Sequence, residues 1–317
     1  MLKAIKFVQG AVAAKDYLPE LTHFRIENNH IRGFNGVMSL SSPIDLDLQI
    51  SPKAVPFIKA IQTCKDTIQL HLTPTGKLSI RSGKFKAFID CLPELFPDIQ
   101  PTGQEVHLPV GILKILKKLL PFIAEDASRP WARGILFRGQ SAFATNNVVL
   151  VEHWLGGSFP IEINIPRSAV VELIRINEEP EYLQVAEDSC TFHFKGNRWL
   201  RTATCSIAWP EAVSQLLSTN LTPIKVPEGL WSAIEGIMPF TDDLGRVFMA
   251  PGIVTTNLSE SEGASMEVAG LTHPACFHGK YLLLLKGIAE TISFEQAPNP
   301  CPFYGKDLRG IIVGMRQ

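Results

Sequence analysis

The sequence predicts an α+β protein built on a repeat of six units, each one helix plus three or four strands, paired into three similar domains. Three observations carry that prediction. Apolar residues recur at helical spacing in six short segments, and runs with strand-like alternation follow each of them. Four of the helical segments open with a proline, Pro52, Pro109, Pro166 and Pro227, at intervals of 57, 57 and 61 residues. The chain has 317 residues, of which 45% are hydrophobic and 19% charged, enough to bury several cores.

Taken in order, residues 2–13 (LKAIKFVQGAVA) place Leu2, Ile5, Val8 and Val12 on one helical stripe, and Leu18-Pro19 ends the segment. Strand runs follow at His23–Glu27 and His30–Phe34, joined by Asn28-Asn29, and resume to about Ile50. Ser51 as N-cap and Pro52 at the first helical position open a second helix, PKAVPFIKAIQTC. Strands come next at Thr67–Leu72, Leu78–Arg81 and Phe85–Cys91. Pro109 opens the third helix, PVGILKILKKLLPFIAE, which Pro121 bends or shortens. Strands return at Gly134–Phe137, Ser141–Ala144 and Val148–Trp154, ending at a Gly156-Gly157 turn. Pro166 opens PRSAVVELIRI, with strands at Tyr182–Ala186, Thr191–Phe194 and Leu200–Ser206. Pro227 opens PEGLWSAIEGI, with strands at Arg246–Met249, Gly252–Leu258 and Ser265–Leu271. The sixth helix, GKYLLLLKGIAE, starts near Gly279, and strands at Thr291–Glu295 and Arg309–Met315 finish the chain. Two units packed helix to helix under flanking sheets make a domain of about 105 residues, an ordinary size. The expected domains are 1–102, 103–218 and 219–317, with boundaries near Gln100–Gly103 and Leu217–Asn220.

Net charge is −1, which excludes a polycation, so any nucleic-acid face must come from segregated charge. The helices other than the fifth carry eleven basic residues: Lys3, Lys6, Lys53, Lys59, Lys114, Lys117, Lys118, Arg167, Arg175, Lys280 and Lys286. Against them stand Glu172 in mid-helix and Glu125 and Glu290 at helix ends. Lysines on one amphipathic helix simply solvate its outer side. Their recurrence in five of six units favours a face for phosphate contacts, which need distributed, sequence-blind charge. Six cysteines without a CxxC pair read as reduced, mostly buried thiols. Lys3 and Lys6 break the apolar N-terminal stretch, so no signal peptide is expected, and no apolar run is long enough to span a membrane. A cytoplasmic protein without a membrane partner is the expectation.

The most distinctive stretch is Leu78–Pro97, LSIRSGKFKAFIDCLPELFP. Two strands flank the turn Ser82-Gly83-Lys84, and Arg81, Lys84 and Lys86 crowd positive charge around it, with no carboxylate at the turn itself. Such a hairpin suits something anionic.

With these residues in view, the chain resembles the bacterial DNA sliding clamp, the beta subunit of DNA polymerase III. Leu78–Pro97 is similar to the clamp's strand, SG-basic turn, strand and LP…FP signature. Tyr17-Leu18-Pro19-Glu20-Leu21 resembles its LPIL-type segment, and RPWARGILF (Arg129–Phe137) its aromatic loop and following strand. Pro166-Arg167 with Glu172-Leu173-Ile174-Arg175 resembles PRK..IELMR, Trp209-Pro210-Glu211 stands for FPD, and IIVGMRQ (Ile311–Gln317) resembles VVMPMRL. The matches keep their order over nearly the whole chain.

The resemblance implies three repeated clamp domains per chain and a homodimeric ring with helices inside and sheets outside. It implies no catalysis and no cofactor. The expected role is a processivity factor that encircles double-stranded DNA without regard to sequence, is opened by a clamp-loader ATPase, and tethers a DNA polymerase through a short peptide. Carried over residue by residue, Lys15, Arg81, Lys84, Lys86, Lys117, Lys118, Trp131 and Arg133 are expected to face DNA. For Trp131, stacking on a single-stranded base and anchoring its loop both stay open. The peptide pocket is expected at Thr145, Asn147, Val148, Val149, Leu150, Val313 and Met315, where ordinary strand core is the competing reading for Val149. Ile237 and Met238 are expected at the dimer interface. Three departures stand out: the chain starts at the first helix, without the clamp's first strand; Asn146–Leu150 replaces the DGHRL segment; and Gly314 replaces a proline. A shortened clamp with an altered pocket suits a phage or mobile element that brings its own polymerase.

Other classes fit less well. His273, Cys276 and His278 match no structural zinc spacing, so no metal is expected. Neither a phosphate-binding GxxxxGK[ST] loop nor a G-x-S-x-G elbow is present. A metal-dependent nuclease would need carboxylates converging from separate strands, and Asp242-Asp243 reads as a turn. A structural phage protein of repeated modules would not need the basic helices.

Overall fold

The computed structural model describes all residues except Phe96, Pro97, Ala127, Thr219, Asn220, Thr222, Glu260, Ser261 and Gln317. The expected Phe96-Pro97 end of the first domain and the Thr219-Asn220 part of the second boundary lie outside the described residues. Contacts divide the chain into two compact units, 1–113 with 168–204, and 114–167 with 205–317.

In the first unit, seven antiparallel strands form one sheet: β1 (Arg25–Glu27), β2 (His30–Phe34), β3 (Met38–Pro43), β13 (Arg198–Ala203), β12 (Ser189–Phe194), β11 (Tyr182–Val185) and β8 (Gln104–Val106). Cross-strand register lines up Gly33, Leu40, Leu200, Phe192, Leu183 and Val106 in one row. Residues directly opposite share a face, so this row is a continuous apolar surface. Helix α1 (Leu2–Val8) covers the β2–β3 end with Ile5, Phe7 and Val8, all buried. It comes so close that a Cβ on Gly33 would strike the carbonyls of Val8 and Ala11, which is why a side chain is missing there. Helix α4 (Arg167–Ile176) buries Ala169, Val170 and Leu173 by the same spacing logic. A second, four-stranded sheet runs β4 (Ser51–Pro52), β7 (Phe85–Leu92), β6 (Lys77–Ser82), β5 (Gln69–Leu72), with Phe57 and Ile61 of α2 (Ala54–Thr63) buried nearby.

The second unit holds a six-stranded sheet in the order β14 (Ile224–Lys225), β19 (Thr291–Ile292), β20 (Pro300–Gly305), β21 (Leu308–Val313), β10 (Val149–Pro166), β9 (Gly134–Thr145). A four-stranded sheet runs β17 (Ser265–Glu267), β16 (Ile253–Thr255), β15 (Arg246–Ala250), β18 (Ala275–His278). Helix α3 (Ile112–Leu119) buries Ile115, Leu116 and Leu119 and exposes Lys114 and Lys117. Helices α5 (Glu211–Gln215), α6 (Leu230–Ile237) and α7 (Gly279–Leu283) complete the described set.

The α+β class and the helix-then-strands order agree with the sequence reading. Several details differ for physical reasons. Ser51 and Pro52 form strand β4 and do not cap α2, because the Lys53 N–H donates to Asp90 and the Ser51 hydroxyl to Phe24. The expected turn at Gly156-Gly157 is instead an irregularity inside β10, whose pairing with β9 shifts register between Trp154 and Phe159 and again before Ile163. Helix α5, five residues long, is too short for periodicity to reveal.

Candidate nucleic-acid and peptide interfaces

The expected DNA-facing cations lie in different settings. Lys15 is exposed in the loop after α1, and Arg81, Lys84 and Lys86 are exposed on the β6–β7 hairpin, where Arg81 and Lys86 sit opposite each other. Lys86 Nζ stands 4.6 Å from the centroid of exposed Phe88. Contrary to the sequence reading, a carboxylate does reach this turn. Ser82 Oγ bonds both the N–H and the carbonyl of Asp66, and a Cβ on Gly83 would run into the Asp66 carboxylate. Asp66 is distant in sequence, so no local pattern signals it. Gly83 takes φ +56, which its missing side chain permits.

Strand β7 pairs with β6 from Phe85 to Asp90 but with β4 only at Cys91 and Leu92. From Phe85 to Ile89 its outer edge has no strand partner among the described residues. In the second unit, β17 is likewise an edge strand, pairing among the described residues only with β16, and carries exposed Met266 and Glu267 shortly after exposed Glu262.

On the helices, Lys117 is exposed and Lys118 half-buried, its Nζ 3.4 Å from the Lys306 carbonyl. Lys118 is also the strongest charge acting on buried His153, whose pKa burial lowers first and Lys118 lowers further. Among the described residues no ion pair holds Lys3, Lys6, Lys53, Lys59, Lys114 or Lys280. The other three basic residues of the helical set are paired: Arg167 with Glu125, Arg175 with buried Glu172, and Lys286 with Glu235.

Trp131 is half-buried. Its ring meets Trp209 edge-on at 4.9 Å, its carbonyl accepts from Asn164 Nδ2, and it packs on the core cluster of Leu136, Phe143, Leu150, Trp209, Leu217 and Ile311. Packing therefore anchors the loop, and neighbouring Arg133 is exposed.

The expected peptide pocket divides in two. Thr145, Val149 and Leu150 are 5%, 0% and 3% exposed, so their side chains belong to the core and line no surface, a correction to the sequence reading. Thr145 Oγ1 donates to the Val149 carbonyl and accepts from the Asn147 N–H, and Asn146 Oδ1 accepts from Val148 and Val149. These bonds hold a tight turn with Asn147 at φ +73, a conformation asparagine tolerates. Val148, Asn147, Val313 and Met315 are half-buried, and the Val313 N–H donates to the Val148 carbonyl. Met315 lines a cleft of about 320 Å³ with Pro274, Ala275, Cys276, Ala297, Pro298 and Arg316. Sequence reasoning missed the segments 274–276 and 297–298, since only the Met315–Cys276 and Gly314–Pro298 backbone bonds bring them to the C-terminal strand. Burial raises the Cys276 thiol pKa, so it lines the cleft as a small apolar group. His278 Nδ1 accepts from the Lys280 N–H at the start of α7.

Ile237 is 1% exposed in the core side of α6, so it cannot serve as a contact surface as expected; half-buried Met238 lies against Gly279 instead. Exposed Phe240 and Leu244 follow it in the same segment.

No family model and no curated protein matches the sequence. Solved structures do match its fold. The DNA polymerase III beta chain of Streptococcus pneumoniae superposes with a TM-score of 0.86 at 20% identity, over 100% of this chain and 97% of that one. The Caulobacter crescentus beta sliding clamp gives 0.84 at 18% and the Bacillus subtilis sliding clamp 0.81 at 18%, each with the same coverage. The chain therefore has the α+β sliding-clamp fold.

Proposed function

We propose that the chain is a DNA sliding clamp, a non-catalytic processivity factor that encircles duplex DNA as a homodimeric ring and tethers a DNA polymerase. The carrying observation is the agreement of fold along the whole chain with bacterial clamps. The helix lysines left without ion pairs support it, because phosphates of a sliding duplex need cations that no carboxylate has claimed. Three domains, 1–102, 103–218 and 219–317, fit two contact units because each large sheet runs across a proposed boundary: β3 pairs with β13, and β10 with β21. The cleft at Met315 is the proposed seat for an apolar polymerase peptide, and a clamp-loader ATPase and a cytoplasmic site follow from the same reading.

For the hairpin, the open β7 edge favours a second role. An unpaired basic edge on one copy and the unpaired acidic β17 edge on another are complementary, so Lys84 and Lys86 join subunits in this reading. The test of the clamp function is topological. After loading by a clamp-loader ATPase, the protein stays on nicked circular DNA through gel filtration and is lost when the circle is cut. Equal loss from both forms, or cleavage of DNA with a divalent metal, overturns the proposal.

A further inference from the structure

The face of the seven-stranded sheet opposite its apolar row is polar. Register places Arg32, Ser41 and Trp199 side by side, and next to them Phe34, Ser39, Arg201 and Thr191. A cleft of about 180 Å³ opens over the second row, lined among others by Phe34, Val37, Ile99, Asp188, Ser189 and Arg201. Four arginines sit on this sheet. Arg25 pairs with Glu27, Arg32 with Asp98 and Arg198 with Glu178. Among the described residues Arg201 has no carboxylate; its one hydrogen bond runs from Nη2 to Ser189 Oγ at 2.9 Å. Its Nε is buried without a partner, as are Arg32 Nε and the hydroxyls of Ser41 and Thr191, residues 0% and 1% exposed.

A half-buried guanidinium costs free energy unless an acceptor satisfies it, and Arg201, which alone of the described residues with orphaned atoms lines this cleft, marks a place where one is wanted. We infer that this cleft binds an organic carboxylate. The carboxylate oxygens accept from Arg201 and Ser189, and Phe34, Val37 and Ile99 hold a short apolar stem. A monoanion fits better than phosphate, since one guanidinium cannot balance a dianion with Asp188 at the rim. The acid is either a small free molecule or the end of a peptide, and the site does not depend on the clamp reading.

Isothermal titration of the full chain tests this with 3-methylbutanoate, the dipeptide Ala-Leu, its C-terminal amide and inorganic phosphate. Saturable one-to-one binding of 3-methylbutanoate or of Ala-Leu, weakened at least about tenfold in Arg201→Gln, is the expected result. Val37→Asp, which places a negative charge on an exposed rim residue, has the same effect and serves if Arg201→Gln fails to fold. Ala-Leu binding above the free acid, with the amide silent, assigns the source to a chain end; the reverse order assigns it to a small acid. No saturable heat with either acid, phosphate binding as tightly as they do, or unchanged affinity in a folded variant overturns the inference.

Discussion

Reversing charge on the open hairpin edge, Lys84→Glu with Lys86→Glu, separates subunit joining from DNA contact. Both lysines are exposed on or beside β7, and Glu262 and Glu267 stand exposed on and near the edge strand β17. An exposed ion pair contributes ~0.2–1 kcal/mol, and reversal replaces attraction with repulsion of similar size. Two reversals therefore cost about 1–4 kcal/mol per interface, roughly a five- to thousandfold rise in the dissociation constant. Sedimentation velocity over a dilution series at physiological salt reads this directly. The shift shrinks at high salt, where the screening length drops to about 3 Å. Adding Glu262→Lys and Glu267→Lys restores the dimer. If the reversed protein sediments like the wild type but slips off nicked circles, the hairpin charges act on phosphate and the edge argument is wrong.

Arg175→Ala strands the Glu172 carboxylate, 5% exposed, and frees the Lys6 and Phe7 carbonyls that Arg175 also holds; the unfolding free energy from urea titration falls by an amount near the low end of ~3–5 kcal/mol, since Arg175 itself is partly exposed. Burial lowers the pKa of His23, His153 and His193 below the usual 6.5. The unfolded chain then binds more protons than the folded one around and below that value, so denaturation midpoints drop as pH falls through the range beneath 6.5. Trp131→Ala removes the Trp209 contact and lowers stability by ~1–3 kcal/mol; a matching fall of about tenfold in single-strand affinity, read by fluorescence anisotropy, separates base stacking from loop anchoring alone. Met315→Asp places a charge in the cleft and weakens an apolar polymerase peptide by at least about tenfold without altering the dimer.

Much of the fold was legible because it rests on short-range patterns. The stripe Ile112, Leu113, Ile115, Leu116 and Leu119 against Lys114 and Lys117 specifies α3 and its buried side at once. At α6 the same pattern puts Ile237 in the core, and the dimer-interface expectation carried over from the resemblance ran against it. What escaped was set by partners distant in sequence. Asp66 reaches the Gly83 turn from another segment, Asp90 draws Pro52 into a strand, and Arg201 is defined by a counter-charge that three neighbouring arginines have and it lacks. Of the walls of the proposed peptide cleft the sequence reading named only Met315, since the others arrive through backbone bonds no local pattern encodes.

On the proposed reading, a division of labour between the two basic side chains lets a chain of net charge −1 keep cations for phosphate. Seven of the nine ion pairs among the described residues use arginine: Arg25, Arg32, Arg167, Arg175, Arg198, Arg246 and Arg309. Its rigid fork suits fixed carboxylates: Arg175 grips buried Glu172 through Nε and Nη2, while Arg309 reaches buried Glu152 through Nε. The helices keep lysines, compact hydrated charges on flexible stems, most of them without an ion pair. On the proposed reading that is the useful assignment. A guanidinium clamped bidentately to one phosphate would have to break two bonds at each step, whereas a lysine exchanges one phosphate for the next through water. Among the described residues seven carboxylates pair with arginine and two with lysine, which leaves Lys3, Lys6, Lys53, Lys59, Lys114 and Lys280 without one.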